Sequence, residues 1–326
     1  MSHYSPIVAA LVTMLLTAIL LHSRFGKEVQ DIPNERSLHV TPVPRTGGVA
    51  LMAGLLSGWA LMIYSLQWWL VLPLLGLFVV SLLDDIYSLP VKKRFIAHAI
   101  AAAILIGGSG LLAQQGLLLA LLLLLMAVWM INLYNFMDGS DGLAGGMALF
   151  GFTFYGIASL MAHDDNMAML NFSIGAAALG FLHSNFHPAK IFMGDAGSIP
   201  LGFLAIGMGA RGWQLGYWPA WFPLLVFSPF IVDASVTLAK RTLRGVKITE
   251  AHREHYYQRA IQLGWGHRNV ALLEYALMLA TGSSALWALD QTLPWQLLLI
   301  WTAIYTALML ALDTRWNKSK RDSNAA

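Results

Sequence analysis

The run Asn132-Leu-Tyr-Asn135-Phe-Met-Asp138-Gly-Ser-Asp141-Gly-Leu-Ala144 places two amides and two carboxylates directly after an unbroken apolar stretch, 116–131. An ionised Asp at a bilayer centre costs roughly 2.5–3.5 kcal/mol on insertion scales. Asp138 and Asp141 are therefore expected in a wet cavity where a helix leaves the membrane. The glycine after each Asp breaks the helix and lets a ligand approach the backbone. Asp84-Asp85 close a second apolar stretch. Adjacent helical residues point about 100° apart, so the pair cannot chelate one ion symmetrically. One is expected to face the cavity while the other takes a hydrogen bond or a cation. Acids at a helix C-terminus also oppose the macrodipole, so the placement needs another purpose. Asp195 lies among glycines just before a further apolar stretch, where a helix N-terminus should begin. Such a terminus offers free N–H groups to an anion, and Asp195 would hold a hard cation beside it or simply cap the helix. Mg²⁺ takes one or two carboxylates plus substrate phosphates and water.

Basic residues stand near these acids in the chain. Arg45, next to Gly47-Gly48, would fork a phosphate or touch anionic headgroups. His252 and His255 share one helix face, with Arg259 one turn beyond. A zinc pair lacks a third soft ligand; phosphate contact fits better, with a basic helix on the headgroups as the plain alternative. Asp233 precedes Lys240 by seven residues, about 10 Å inside the basic edge, either functional or paired with a cation from a neighbouring helix. Asp84, Asp85, Asp138, Asp141 and Asp195 together need a divalent cation, while Arg45, Lys93, Arg94, Arg253 and Arg259 suit a polyanion. Metal, carboxylates and arginines at a membrane face point to phosphoryl transfer between a nucleotide and a lipid.

The elements that must position these groups are spans. Of 326 residues 57% are hydrophobic and 11% charged, with mean hydropathy +0.62; a soluble domain carries about 25% charged residues. The absence of Cys excludes disulfides and thiolate metal sites. Eleven apolar stretches lie near the ~20 residues a span requires: 5–23, 47–66, 68–85, 95–113, 116–134, 143–162, 167–185, 197–213, 219–239, 269–289 and 294–312. The expected fold is all-α, a polytopic bundle of about eleven transmembrane helices forming one domain over 1–326, with a disordered tail from about 317. Alternating sides puts 19 of the 20 Lys and Arg residues together, only Arg211 falling opposite. The positive-inside rule then places the N-terminus outside and the C-terminus in the cytoplasm. Trp68, Trp69, Trp213, Trp218, Trp221 and Trp295 read as an outer aromatic belt. A three-proline loop before residue 47 reads as stiff and non-helical.

Five motifs carry a resemblance: Asp31-x-Pro-Asn-x-Arg-Ser-x-His with Pro-Arg45-Thr-Gly-Gly; Asp84-Asp85; Asn132-x-x-Asn-Phe-Met-Asp-Gly-Ser-Asp-Gly; Asn185-x-x-Pro-Ala-Lys-Ile-Phe-Met-Gly-Asp195; and His252-Arg-Glu-His-Tyr-Tyr-Gln-Arg259. Together, over 31–268, the chain resembles the polyprenyl-phosphate N-acetylhexosamine-1-phosphate transferases. The resemblance implies ten or eleven spans, a cytoplasmic active site in the bacterial inner membrane, and Mg²⁺, with Mn²⁺ as a substitute. It implies transfer of sugar 1-phosphate from a UDP-N-acetylhexosamine to undecaprenyl phosphate with release of UMP, at the start of O-antigen or another surface glycan. By carry-over Asp195 ligates the metal, Asp84 acts on the lipid phosphate as base or through the metal, and Asp85 supports it. Asn132, Asn135, Asp138 and Asp141 line the nucleotide-sugar pocket with Arg45; Asn185 contacts substrate; His252, His255 and Arg259 meet the diphosphate. A homodimer is a family-level expectation, and no nucleic-acid partner is expected. The peptidoglycan branch has three consecutive His where this chain has His252-Arg-Glu-His255, and the short-spaced Lys after the Asp pair is replaced by Ser88. A transporter would show inverted repeats and midplane polar breaks, and none is visible.

Overall fold

A computed structural model of the protein describes residues 2–33, 38–39, 41–247, 250, 252–291 and 294–325. Asn34, Arg36 and Ser37 of the first-loop motif lie outside them. The chain forms helices α1 (Ser5–His22), α2 (Arg24–Glu28), α3 (Gly47–Ala60), α4 (Trp68–Tyr87), α5 (Val91–Gly108), α6 (Leu111–Phe136), α7 (Leu143–Met161) and α8 (Asp165–Asn185). These are followed by α9 (Asp195–Gln214), α10 (Trp221–Val226), α11 (Ser228–Leu243), α12 (Tyr256–Ala260), α13 (His267–Ala288) and α14 (Pro294–Ala325). Each stretch expected to span falls on a helix, and 219–239 divides between α10 and α11 at Phe227. Among the described residues seven helices are long and apolar enough to cross a membrane. The others expected to cross are weaker by composition: α3 has 14 residues, α5 opens on Lys92-Lys93-Arg94, and α9 is rich in glycine.

The stiff first loop is not wholly irregular. It carries α2 and a two-residue ribbon, β1 (Gln30–Asp31) with β2 (Val43–Pro44), paired antiparallel with Asp31 opposite Val43. At the other end α14 continues as helix through 317–325, where a disordered tail was expected. Extending a formed helix needs no new nucleus, so the polar residues follow the apolar ones.

α9 is the axis of the bundle, packed by α3, α4, α6 and α7 and buried along most of its length. Its glycines allow this approach: a Cβ on Gly48 of α3 would sit 2.3 Å from the Gly197 nitrogen. Small residues at helix contacts are the usual route to close packing in a membrane, where apolar faces gain little from one another. Two of the six tryptophans expected in an outer belt belong to the core. Trp69 and Trp218 are buried, Trp218 stacking on Tyr155 with its Nε1 donating to Gly209 O, whereas Trp68 and Trp295 are exposed.

The C-terminal ends of α4, α6 and α8 and the N-terminal ends of α3, α9 and α13 gather at one end of the bundle. They enclose a cavity of about 230 Å³ whose walls include Arg45, Asp85, Asn135, Asp138, Asp195 and Gln258.

Candidate active site

Asp84 and Asp85 leave α4 in different directions, as adjacent helical residues must. Ser88 closes the helix in a left-handed conformation (φ 52°), turning the chain so that Leu89 N–H donates to Asp84 Oδ1 at 2.6 Å. Arg94, on the first turn of α5, donates through Nη1 to Asp84 Oδ2 at 2.8 Å and to Asp195 Oδ2 at 3.3 Å. Two acids 111 positions apart in the chain thus meet across one guanidinium nitrogen. Lys93, its neighbour on α5, is exposed.

Asp85 turns instead onto the start of α9. Its Oδ1 accepts from Asp195 N–H at 3.1 Å and its Oδ2 from Ala196 N–H at 2.9 Å. The unfavourable position at the C-terminus of α4 is thereby a favourable one at the N-terminus of α9, where the macrodipole attracts a carboxylate. These two N–H groups, expected to be free for a ligand anion, are already taken. Gly194 makes the turn with φ 70°, and a Cβ there would lie 2.8 Å from Asp85 Oδ2. The first loop is sewn to this turn: Gly47 and Gly48 N–H donate to Phe192 and Met193 carbonyls, and Arg45 Nη2 donates to Asp85 O at 2.5 Å. Arg45 therefore sits at the cavity wall, its Nε 4.0 Å from Asp85 Oδ1.

Asn135 and Asp138 line the cavity from the end of α6. Asn135 Oδ1 accepts from Ser198 Oγ at 2.9 Å, which ties α6 to α9. The Asp138 carboxylate accepts no hydrogen bond from a described residue. Burial in the cleft, with the charges of Asp195, Asp85 and Asp31 added, pushes it well above the ordinary carboxylate range. Asp141 faces a pair of imidazoles: His187 Nδ1 lies 2.6 Å from its Oδ2, His267 Nδ1 3.8 Å from its Oδ1, and the two rings stack. Asn185 spends both ends of its amide on backbone, accepting from Gly142 N–H and donating to Ile191 O. It joins the Asp141 loop to the Asp195 loop and from that position lines the cavity. Asn132 is not among the cavity residues. It lies one helical turn deeper than Phe136, donates to Val128 O on its own helix and meets His98 of α5.

The segment holding His252, His255 and Arg259 is fastened to α11 and α14. Asp233 accepts from Tyr256 N–H at 2.9 Å and Tyr257 N–H at 3.0 Å, and lies 3.3 Å from His255 Nδ1. It is thus the N-terminal cap of α12, a carboxylate satisfied by backbone donors instead of a lysine or arginine. Arg259 is buried, donating to Asp313 Oδ1 of α14 at 2.9 Å with its guanidinium over the rings of Tyr256 and Trp316. None of the three lines the cavity; Gln258, between them in sequence, does. Burial, then the neighbouring His255 and Arg241, lowers the His252 pKa to about 4, so it is neutral at pH 7. Arg253 is exposed.

Asp31, His39, Ser140 and Gln258, which stand in the quoted motifs without a role assigned from sequence, and His267, which stands in none of them, also line the cavity. His267 carried a readable signal, standing between Gly266 and an apolar helix on the same side as the other motifs. For Gln258, one place from the chosen Arg259, helix phase decides and the sequence offers no reference point.

Among the described residues no group of three or more His, Cys, Asp or Glu side chains is arranged to hold a metal. The donors present nevertheless fit a hard cation that keeps most of its coordination for water and phosphate. Asp195 and Asp138 face one cavity, and Asp138 has no described partner. Asp84, expected as a second ligand, is less suited, because both its oxygens already accept hydrogen bonds.

A sequence model of the family described as glycosyl transferase family 4 matches residues 67–210. The chain is 30% identical, over 82% of its length and 77% of the relative's, to the decaprenyl-phosphate N-acetylglucosaminephosphotransferase of Mycolicibacterium smegmatis. It is 28% identical, over 94% and 88%, to the probable undecaprenyl-phosphate N-acetylglucosaminyl 1-phosphate transferase of Bacillus subtilis. The phospho-N-acetylmuramoyl-pentapeptide-transferase of Staphylococcus epidermidis is more distant, at 26% over 86% and 97%.

Proposed function

The chain belongs to glycosyl transferase family 4, and from that premise we propose that it transfers an N-acetylhexosamine 1-phosphate from a UDP-sugar to undecaprenyl phosphate. An oxygen of the lipid phosphate attacks the sugar-bearing phosphorus of the donor. The bond from that phosphorus to the bridging oxygen breaks, and UMP leaves with the oxygen. The products are undecaprenyl-diphospho-sugar and UMP, and no proton need move. A phosphate monoester is largely dianionic at neutral pH, so Asp84 need not act as its base. Asp195 and Asp138 lining one polar cavity, with Asp84 brought to Asp195 behind it by Arg94, support this reading.

Two phosphorylated substrates entering a cavity walled by Asp31, Asp85, Asp138, Asp141 and Asp195 would meet strong repulsion without a cation. Mg²⁺ held by Asp195 and Asp138 would neutralise the charge that develops on the leaving phosphate. Arg45 supplies a fixed positive charge on the same wall, and Asp85 holds Asp195 in place through the backbone of α9. Asp141, with His187 and His267, closes the far end of the cavity and orients the nucleotide-sugar. His252, His255 and Arg259 shape α12, which presents Gln258 to the substrate. The charge asymmetry supports eleven crossings with the cavity on the cytoplasmic face of the inner membrane. The reaction starts a surface glycan such as O-antigen.

Purified protein given undecaprenyl phosphate, Mg²⁺ and UDP-GlcNAc, UDP-GalNAc or their 6-deoxy analogues should release UMP with at least one donor, in step with a lipid-linked sugar. UMP release that does not require the lipid, or none with any donor, would overturn the assignment.

A further inference from the structure

Arg94 stands where the site would receive its metal. Its Nη1 lies 2.8 Å from Asp84 Oδ2 and 3.3 Å from Asp195 Oδ2, and two-thirds of the side chain is covered. Lys92 and Lys93 on the same turn are exposed. Its position is set from both sides. Pro90 precedes the helix, and His98, one turn deeper on the same face, is buried against Asn132 of α6. A guanidinium stays charged at any ordinary pH, so these carboxylates are never without a counter-ion. Arg94 holds Asp195 Oδ2, so a divalent cation bound to Asp195 would lie beside the guanidinium, and the two cations would repel.

We propose that Arg94 is the resident counter-ion of the metal site: it holds Asp84 and Asp195 together in the metal-free protein and yields Asp195 when a divalent cation binds. Arg94 stays tied to Asp84 as it does so, and the freed side of its guanidinium turns to a phosphate oxygen. Metal alone then binds weakly, because it must displace Arg94. Metal with a diphosphate binds more strongly, because the displaced guanidinium finds a new anion. By linkage each ligand raises the affinity for the other by the same factor. The inference rests on the reading of Asp195 as the metal carboxylate.

Mn²⁺ binding to the purified full-length protein, followed by electron paramagnetic resonance without nucleotide, tests it in the wild type and in Arg94→Met, Arg94→Gln and Asp195→Asn. Both Arg94 variants should bind Mn²⁺ about tenfold more tightly than the wild type, about 1.4 kcal/mol, and should melt lower in EDTA. Arg94→Gln keeps a donor for Asp84 and serves if Arg94→Met does not fold. Wild-type-like or weaker Mn²⁺ affinity in a folded Arg94 variant overturns the counter-ion role while leaving the metal site standing. If instead neither the wild type nor an Arg94 variant shows Mn²⁺ binding that adding Asp195→Asn abolishes, the reading of Asp195 fails and the inference falls with it.

Discussion

Asp85 is the acid whose role the structure separates most sharply from that of its neighbour. Its carboxylate accepts two backbone N–H groups at the start of α9. A hydrogen bond to a charged group contributes roughly 1.5–3 kcal/mol. Asp85→Ala removes two, but water from the adjoining cavity can reach the freed N–H groups, so the lower end applies, about 3 kcal/mol. Asp85→Asn keeps one acceptor, loses the other and gives up its attraction to the α9 dipole, about 2 kcal/mol in sum. An unfolding entropy of about 2.1 cal/mol/K per residue over 326 residues makes 1 kcal/mol worth roughly 1.5 °C. Thermal unfolding in detergent should therefore fall by about 3 °C for Asp85→Asn and about 4–5 °C for Asp85→Ala. Transferase activity should fall in the same order, because Asp195 begins the helix that loosens. An Asp85→Asn protein that melts like the wild type yet is inactive would refute the capping role and make Asp85 a substrate contact.

Gly48→Ala should be among the most damaging single-methyl changes, about 3 kcal/mol in a denaturation series. The added carbon would meet the Gly197 and Ala196 backbone at 2.3 and 2.7 Å; a tolerated variant would mean that α3 and α9 pack less closely. Asp233→Asn weakens the cap of α12, so amides of 256–260 should exchange hydrogen about ten- to a hundredfold faster, with α7 and α8 unaffected. Unchanged exchange would remove Asp233 from that role. His252 should titrate near pH 4 in labelled-histidine NMR, against about 6.5 in an unfolded chain. Between those values the unfolded state binds the extra proton, so this histidine lowers stability as pH falls from about 6.5 toward 4; a midpoint near 6.5 would place it in solvent.

Hydropathy made the all-α fold legible, since every apolar stretch proposed as a span falls on helix, 219–239 on two. The exceptions are instructive. Trp69 and Trp218 lie at span ends, as belt residues do, but their burial depends on which helix lies opposite, and a single sequence does not show that. The acids were legible as a set because carboxylates at span ends need a reason to be there. Their division of labour was not. Asp84 and Asp85 differ by one helical step, and only the placement of α5 and α9 decides that one meets Arg94 and the other two backbone N–H groups. Asp233 was equally plausible as a functional group or an ion-pair partner, and it proved to cap a helix that begins only at Tyr256, so that His252 and His255, read as sharing a helix face, precede it. Asn132 shares a motif with Asn135 yet is turned toward α5.

The central claim is that the sugar-bearing phosphorus moves to the lipid phosphate. It is tested most directly with a UDP-sugar carrying ³²P only in the phosphate attached to the sugar, incubated with purified protein and undecaprenyl phosphate. All transferred label should appear in a lipid diphosphate bearing the sugar, and the released UMP should be unlabelled. Label remaining in a nucleotide product, or a lipid product that carries the sugar without the label, would contradict it.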